Sequence, residues 1–236
     1  MKQKWNWETY KAKIRNLKEK INLSEPRSIS HVELSGFFAK HYDALLDFVT
    51  VGFYRNFIRD VISKMNIQPH DKILDMGAGT GRNALLMLPY LDDGEVIGLE
   101  IGEEMKEQFR KKSFHHHNLK LRELRIEKDL PFEQEFDKVF ISFTFHGFKQ
   151  ADRIKIIENA NKALKKGGKF LILDYNEFDL SQKPFYVRAL FALECDLARD
   201  YIKRNWKKIW KEYDFSVEKI HPYFLGYIRL LELKKY

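Results

Sequence analysis

The 236-residue chain is 44% hydrophobic, enough to build a packed core, and no run in it approaches the roughly 18–20 apolar residues of a bilayer-spanning helix. Its single cysteine, Cys195, excludes a disulfide scaffold and a cysteine-based zinc site. Lys and Arg outnumber Asp and Glu by 42 to 34, and the resulting +8 favours anionic partners (nucleic acid, acidic lipid, phosphorylated compounds) as readily as it describes a plain basic surface. The opening residues, MKQKWNWETYKAK, lack the apolar core of a secretory signal, so a cytoplasmic location is expected.

Trp7, Tyr10, Ile14, Leu17 and Ile21 step by three and four, which predicts an amphipathic helix. Two more helices are predicted over Gly36–Phe48 and Phe53–Met65. From Lys72 the rhythm changes. A short strand, Lys72–Met76, runs into Gly77-Ala78-Gly79-Thr80-Gly81 and a helix over Arg82–Leu91. Strands over Glu95–Glu100, Lys120–Ile126, Phe136–Phe143 and Lys169–Tyr175 then alternate with helices over Gly102–Lys112 and Gln150–Leu164, the last stopped by Gly167-Gly168. This alternation predicts βαβ units and a parallel sheet covered on both faces. A long helical stretch over Lys183–Lys211 follows. Segments Ser216–His221 and Tyr227–Lys234 stand too close together for a parallel crossover and are expected to pair antiparallel.

The glycine loop is the most informative segment. Glycine removes the Cβ that would keep a ligand from the backbone and permits positive φ, and the amides opening the next helix face a polar or anionic group. Glu100 ends the second strand, where a carboxylate can accept hydrogen bonds from a ribose diol. Loop and acid together predict a nucleoside-containing ligand at the C-terminal edge of the sheet. The G-x-G-x-G spacing departs from the G-x-G-x-x-G of dinucleotide folds, and a P-loop motif is absent.

Asp75-x-Gly77-x-Gly79-x-Gly81 resembles the first motif of class I S-adenosylmethionine-dependent methyltransferases. Glu100 resembles their second-strand acid, Asp129–Ser142 their loop and fourth strand, and Leu164–Tyr175 their "LKPGG" turn and fifth strand, with Lys166 in place of proline. Within that superfamily Phe38–Phe48 resembles the leading helix of menaquinone/ubiquinone-type C-methyltransferases. The resemblance implies a doubly wound, seven-stranded, mostly parallel α/β sheet with an antiparallel terminal strand. It implies a cofactor, S-adenosyl-L-methionine, held by Asp75, Gly77, Ala78, Gly79, Gly81, Glu100, Ile101 and Met105, with Ile126, Glu127 and Phe143 beside the adenine or the methionine tail. Relatives carry an acid ahead of "LPF" that holds the adenine amino group; here either Glu127 or Asp129 substitutes for it, or Ile126 only packs on the ring and backbone amides serve. Residues 1–66 and the insertion 183–211 are expected to form a lid.

Methyl transfer from a sulfonium needs alignment and desolvation, no metal, and a base when the acceptor is a phenol, quinol or acidic carbon. His146, after the fourth strand, is the candidate base, against a merely loop-capping histidine; Tyr42, beside Asp43, is the second candidate, expected over the cofactor. His115-His116-His117 reads as a solvated loop, Cys195 as a buried thiol, and Asp152, Arg153 and Lys155 as surface charges. In the basic, aromatic stretch Tyr201–Lys211, inward packing of Ile202, Trp206, Ile209 and Trp210 competes with an anionic-membrane contact and a nucleic-acid contact. The expected activity is methyl transfer to a small, lipophilic or aromatic acceptor. A methyltransferase of RNA or protein and a catalytically silent cofactor-binding module stay open, as does the oligomeric state. SFTF (Ser142–Phe145) stands where base N-methylating enzymes carry an NPPY-type motif, which argues against that chemistry.

Overall fold

The structure is a computed structural model, described here for residues 53–236. The helices expected before residue 53, with Tyr42 and Asp43, lie outside the described residues. Helix α1 (Phe53–Lys64) precedes the first βα unit, β1 (Lys72–Met76) and α2 (Arg82–Met87). Pro89 cannot continue an α-helix, and the chain tightens into a 3₁₀ turn over Leu88–Tyr90. β2 (Glu95–Leu99), α3 (Glu103–Ser113), β3 (Leu119–Arg122), β4 (Phe136–Ser142), α4 (Gln150–Ala163) and β5 (Leu164–Tyr175) complete the alternation. Three short helices follow, α5 (Phe185–Leu193), α6 (Asp196–Tyr201) and α7 (Trp206–Glu212), then β6 (Phe215–Tyr223) and β7 (Ile228–Lys235).

The seven strands form one sheet in the order β3-β2-β1-β4-β5-β7-β6. Neighbours from β3 to β5 pair parallel, whereas β7 runs antiparallel to both β5 and β6. The parallel strands are apolar on both faces and so require cover on both. Along β5, Phe170 and Ile172 face one core layer and Leu171 and Leu173 the other. On the first side Trp206 and Trp210 of α7 stack at 5.1 Å and pack beneath Phe145 and Phe170. On the other, Ile58, Ala84 and Phe109 bring in α1, α2 and α3.

Several expectations need correction. The third strand ends at Arg122, not Ile126, because its partner β2 ends opposite it at Leu99; beyond that pair the backbone closes a turn from Lys128 N–H to Arg125 C=O. Helix α4 is not stopped by the glycine pair. Leu164, already extended, caps it and pairs with Phe136, and Gly167 (φ +78°) then takes up the shift in register before Lys169. The stretch 183–211 is three helices, broken at Glu194-Cys195 and again at Ile202–Asn205. Cys195 caps α6 and is only half-buried. Arg153 is not a surface charge: its side chain is fully buried. In the Tyr201–Lys211 stretch, Tyr201, Ile202, Trp206 and Trp210 all point into the core and Ile209 packs against it, so lysines rather than rings face solvent there.

Candidate active site

Strand β1 delivers Asp75 and Met76 to the edge of the sheet, and the chain then turns through three glycines with φ of +73°, +55° and +75° at Gly77, Gly79 and Gly81. L side chains avoid this region. The surroundings separate the three positions. A Cβ on Gly77 would stand 2.9 Å from Cγ2 of Thr144, and one on Gly81 would stand 2.7 Å from the Phe109 ring. These two glycines therefore allow the loop to pack against the body of the protein. A Cβ on Gly79 would meet no atom of the described residues within 4 Å, so among them its bare backbone faces open space. The loop is pinned to β2, whose Leu99 carbonyl accepts from the N–H groups of both Gly77 and Ala78.

Glu100, at the end of β2, accepts from the N–H of Gly79 at 2.9 Å through one oxygen, and from Ile101 and Gly102 at 2.9 and 2.8 Å through the other. This fixes the carboxylate beside the glycine loop. Met105, in the first turn of α3, is buried next to Gly102. Asp75, Gly77, Ala78, Gly79, Gly81, Glu100, Ile101 and Met105 thus converge at one end of the sheet.

Asp75 is 1% exposed and, among the described residues, its Oδ2 has no hydrogen-bond partner. Burial, with the nearby Glu100 carboxylate adding to it, pushes the Asp75 carboxyl up to about 7. A buried acid without a partner beside a glycine cradle is the arrangement expected of a site built for a polar, cationic ligand, and S-adenosylmethionine, with its sulfonium and ammonium, fits these residues. The raised value has a sign that can be checked. The protonated form is favoured by folding, so stability is fully present below about pH 4 and is lost as pH rises through about 7, an effect on the order of 4 kcal/mol. Asp75→Asn should remove that dependence: its melting midpoint should exceed the parent's at pH 8 and approach it at pH 4.5, as followed by scanning calorimetry.

Ile126 and Glu127 lie on the turn after β3, and Ile126 shares a buried cluster with Met76 and Leu99, which end β1 and β2. Asn159 of α4 donates to the carbonyls of Ile126 and Lys128 at 2.9 and 2.6 Å and accepts from Leu130 N–H, holding the turn; Glu127 accepts from Arg125 at 2.9 Å. Ile126 is buried, as a residue packing on a ring would be, while the Glu127 carboxylate is already ion-paired. Phe143 follows β4 with φ +49° and lies 6.4 Å from the Phe57 ring.

His146 sits on a 3₁₀ turn (Phe145–Gly147) beyond β4. Asp174, next to last in β5, accepts from the His146 backbone N–H at 3.0 Å and lies 2.7 Å from its Nδ1. The carboxylate can only accept there, so Nδ1 carries the proton and Nε2 is left as the basic nitrogen. Burial works to lower the His146 pKa, but the Asp174 charge and hydrogen bond outweigh it and hold it above the ordinary value, with Glu194 adding to the rise and Arg153 opposing it. Sequence reasoning did not single out Asp174; its signal was a lone acid at the end of the fifth strand, ILDY. Neighbouring Tyr175 packs its ring, tilted by 54°, against His146 at 4.9 Å and donates to Glu194 at 3.0 Å, and burial keeps its phenol protonated. Thr144, packed over Gly77, brings the histidine turn against the glycine loop. His115 and His117 are exposed in a loop, and the described residues hold no cluster of three metal-type ligands.

A parallel sheet reversed only at its penultimate position, with a glycine loop after β1 and an acid after β2, defines the Rossmann-like fold of class I S-adenosylmethionine-dependent methyltransferases. Residues 73–168 match the family model described as a methyltransferase domain. The chain is 30% identical over 157 residues to a demethylmenaquinone methyltransferase of Symbiobacterium thermophilum, covering 65% of this chain and 59% of the relative. It is 31% identical over 156 residues to a ubiquinone/menaquinone biosynthesis C-methyltransferase of Rhizobium rhizogenes, covering 60% and 57%. The matches thus span somewhat under three fifths of these relatives' length. Among solved structures, the fold resembles a SAM-dependent methyltransferase from Aquifex aeolicus (TM-score 0.57, 17% identity, 75% of this chain and 88% of that one). It also resembles mitomycin 7-O-methyltransferase (TM-score 0.65, 13% identity, 94% and 67%).

Proposed function

We propose that the protein transfers the methyl group of S-adenosylmethionine to a small aromatic or lipophilic acceptor, with His146 as general base. The observation that carries this reading is the contact between Thr144 and Gly77, which sets a histidine–aspartate pair beside an open glycine cradle. Bound there, the cofactor supplies a methyl group on a cationic sulfur. The chain's residues do the remainder. Asp75, the glycine loop with Ala78, and Glu100 hold the ligand; Ile101 and Met105 give its adenosine an apolar wall; Ile126 and Phe143 flank it. Nε2 of His146 takes a proton from an acceptor hydroxyl or acidic carbon, and Asp174 holds the ring and stabilises the imidazolium that results. The names of the two curated relatives support a quinol-like acceptor. No helix among the described residues is long and apolar enough to cross a membrane.

A radiolabelled-methyl assay tests the proposal. Label from S-adenosylmethionine is expected in quinols or phenols presented in detergent. Label confined to RNA or protein fractions would favour a macromolecular methyltransferase, and firm cofactor binding without any transfer would favour a silent module.

A further inference from the structure

Arg153 takes no part in the chemistry above, yet it is fully buried and its guanidinium is surrounded by partners from three elements. It donates to the carbonyls of Phe145 (3.3 Å) and His146 (2.8 Å) on the histidine turn, and to the Leu197 carbonyl (2.7 Å) and the Asp200 carboxylate (2.7 Å) on α6. The Tyr201 and Trp206 rings lie 5.2 and 5.9 Å from it. Desolvating a guanidinium is expensive unless its donors are used, and here backbone carbonyls of the histidine turn use two of them.

We propose that Arg153 is a positioning residue for the His146–Asp174 pair, fixing the histidine turn to α6 and holding a positive charge against the His146 backbone carbonyl. This rests on His146 acting as the base. The fork geometry matters for the first role, because one planar group holds carbonyls on both sides at once, which an ammonium cannot reproduce. The charge matters for the second. The groups facing His146 are Asp174 and Tyr175 on β5, Glu194 between α5 and α6, and Arg153 on α4. Three of these favour or tolerate the imidazolium; Arg153 alone opposes it. Its own charge is offset by Asp200, which also accepts from Arg204 at 2.9 and 2.7 Å.

The test follows the His146 ring by NMR in histidine-labelled protein, assigned with a His146→Ala sample, alongside kinetics. In Arg153→Met the His146 titration should move to higher pH. In Arg153→Lys, which keeps the charge, it should stay near the parent's while kcat falls about 10–100-fold from misplacement of the turn. Asp200→Asn exposes the Arg153 charge and should move the titration to lower pH; it also serves if Arg153→Met does not fold. A His146 midpoint unmoved in the folded Met variant, or in Asp200→Asn, would overturn the proposal, as would full activity in Arg153→Lys. Because the titration is read without turnover, these results stand even if the His146→Ala enzyme proves fully active, which would instead remove the base assignment.

Discussion

Gly79→Ala is expected to weaken binding of S-adenosylmethionine about 100-fold while leaving the fold nearly as stable as before. At φ +55° an alanine strains the backbone by roughly 1 kcal/mol, and the new methyl meets no atom of the described residues within 4 Å. The methyl instead occupies the space from which a ligand would approach the bare backbone. A loss of affinity on the order of 100-fold, about 2.8 kcal/mol, should be read by calorimetry, with the melting midpoint only slightly reduced. Gly81→Ala makes the contrasting control: its Cβ would stand 2.7 Å from the Phe109 ring, so it should lose stability first and binding as a consequence. If Gly79→Ala bound the cofactor as the parent does, the open face at Gly79 would not be the adenosyl site.

The second large effect concerns the base. His146→Ala should lower kcat about 10²- to 10⁴-fold with cofactor affinity unchanged. In the parent, kcat should fall as pH drops through a midpoint above the ordinary histidine value, since the Asp174 charge, outweighing burial, favours the imidazolium. Asp174→Asn removes that charge, so the midpoint should move to lower pH while the plateau rate also drops, the ring having lost its acceptor at 2.7 Å. The same shift carries a stability consequence of definite sign. Because folding raises the pKa, the pair's stabilisation is fully present below about pH 6.5 and is lost as pH rises through the folded-state value. Stability of Asp174→Asn relative to the parent should therefore be poorest near pH 6. A pH–rate profile left unchanged in Asp174→Asn would detach the dyad from catalysis.

The parts of this protein legible in its sequence are those where local chemistry and tertiary position coincide. The glycine spacing, Asp75 and Glu100 could be read because positive φ, backbone approach and a strand-end acid are each tied to residue type. Strand β1 and helix α4 were legible because their periodicity agrees with what they cover. Other features are set by partners distant in the chain. The end of β3 depends on where β2 stops. The cap of α4 depends on Leu164 finding Phe136 across the sheet. Arg153 looks like a solvated helix charge beside Asp152 and Lys155, and only the arrival of Leu197 and Asp200, more than forty residues later, makes it a core residue. Asp174 was hidden for a similar reason: nothing in ILDY shows that β4 will present a histidine turn beside it. The basic, aromatic stretch around Trp206 shows the reverse, a surface-like composition whose rings fill the core while its lysines face water.

The central claim is that the loop after Asp75, with Glu100 beside it, receives an adenosyl sulfonium. Titration calorimetry of the parent protein with S-adenosylmethionine, with its demethylated product and with NAD tests it most directly. Saturable one-to-one binding of the first two, competitive with each other and absent for the dinucleotide, is the predicted result. No heat with either adenosyl compound, or displacement by the dinucleotide, would contradict it.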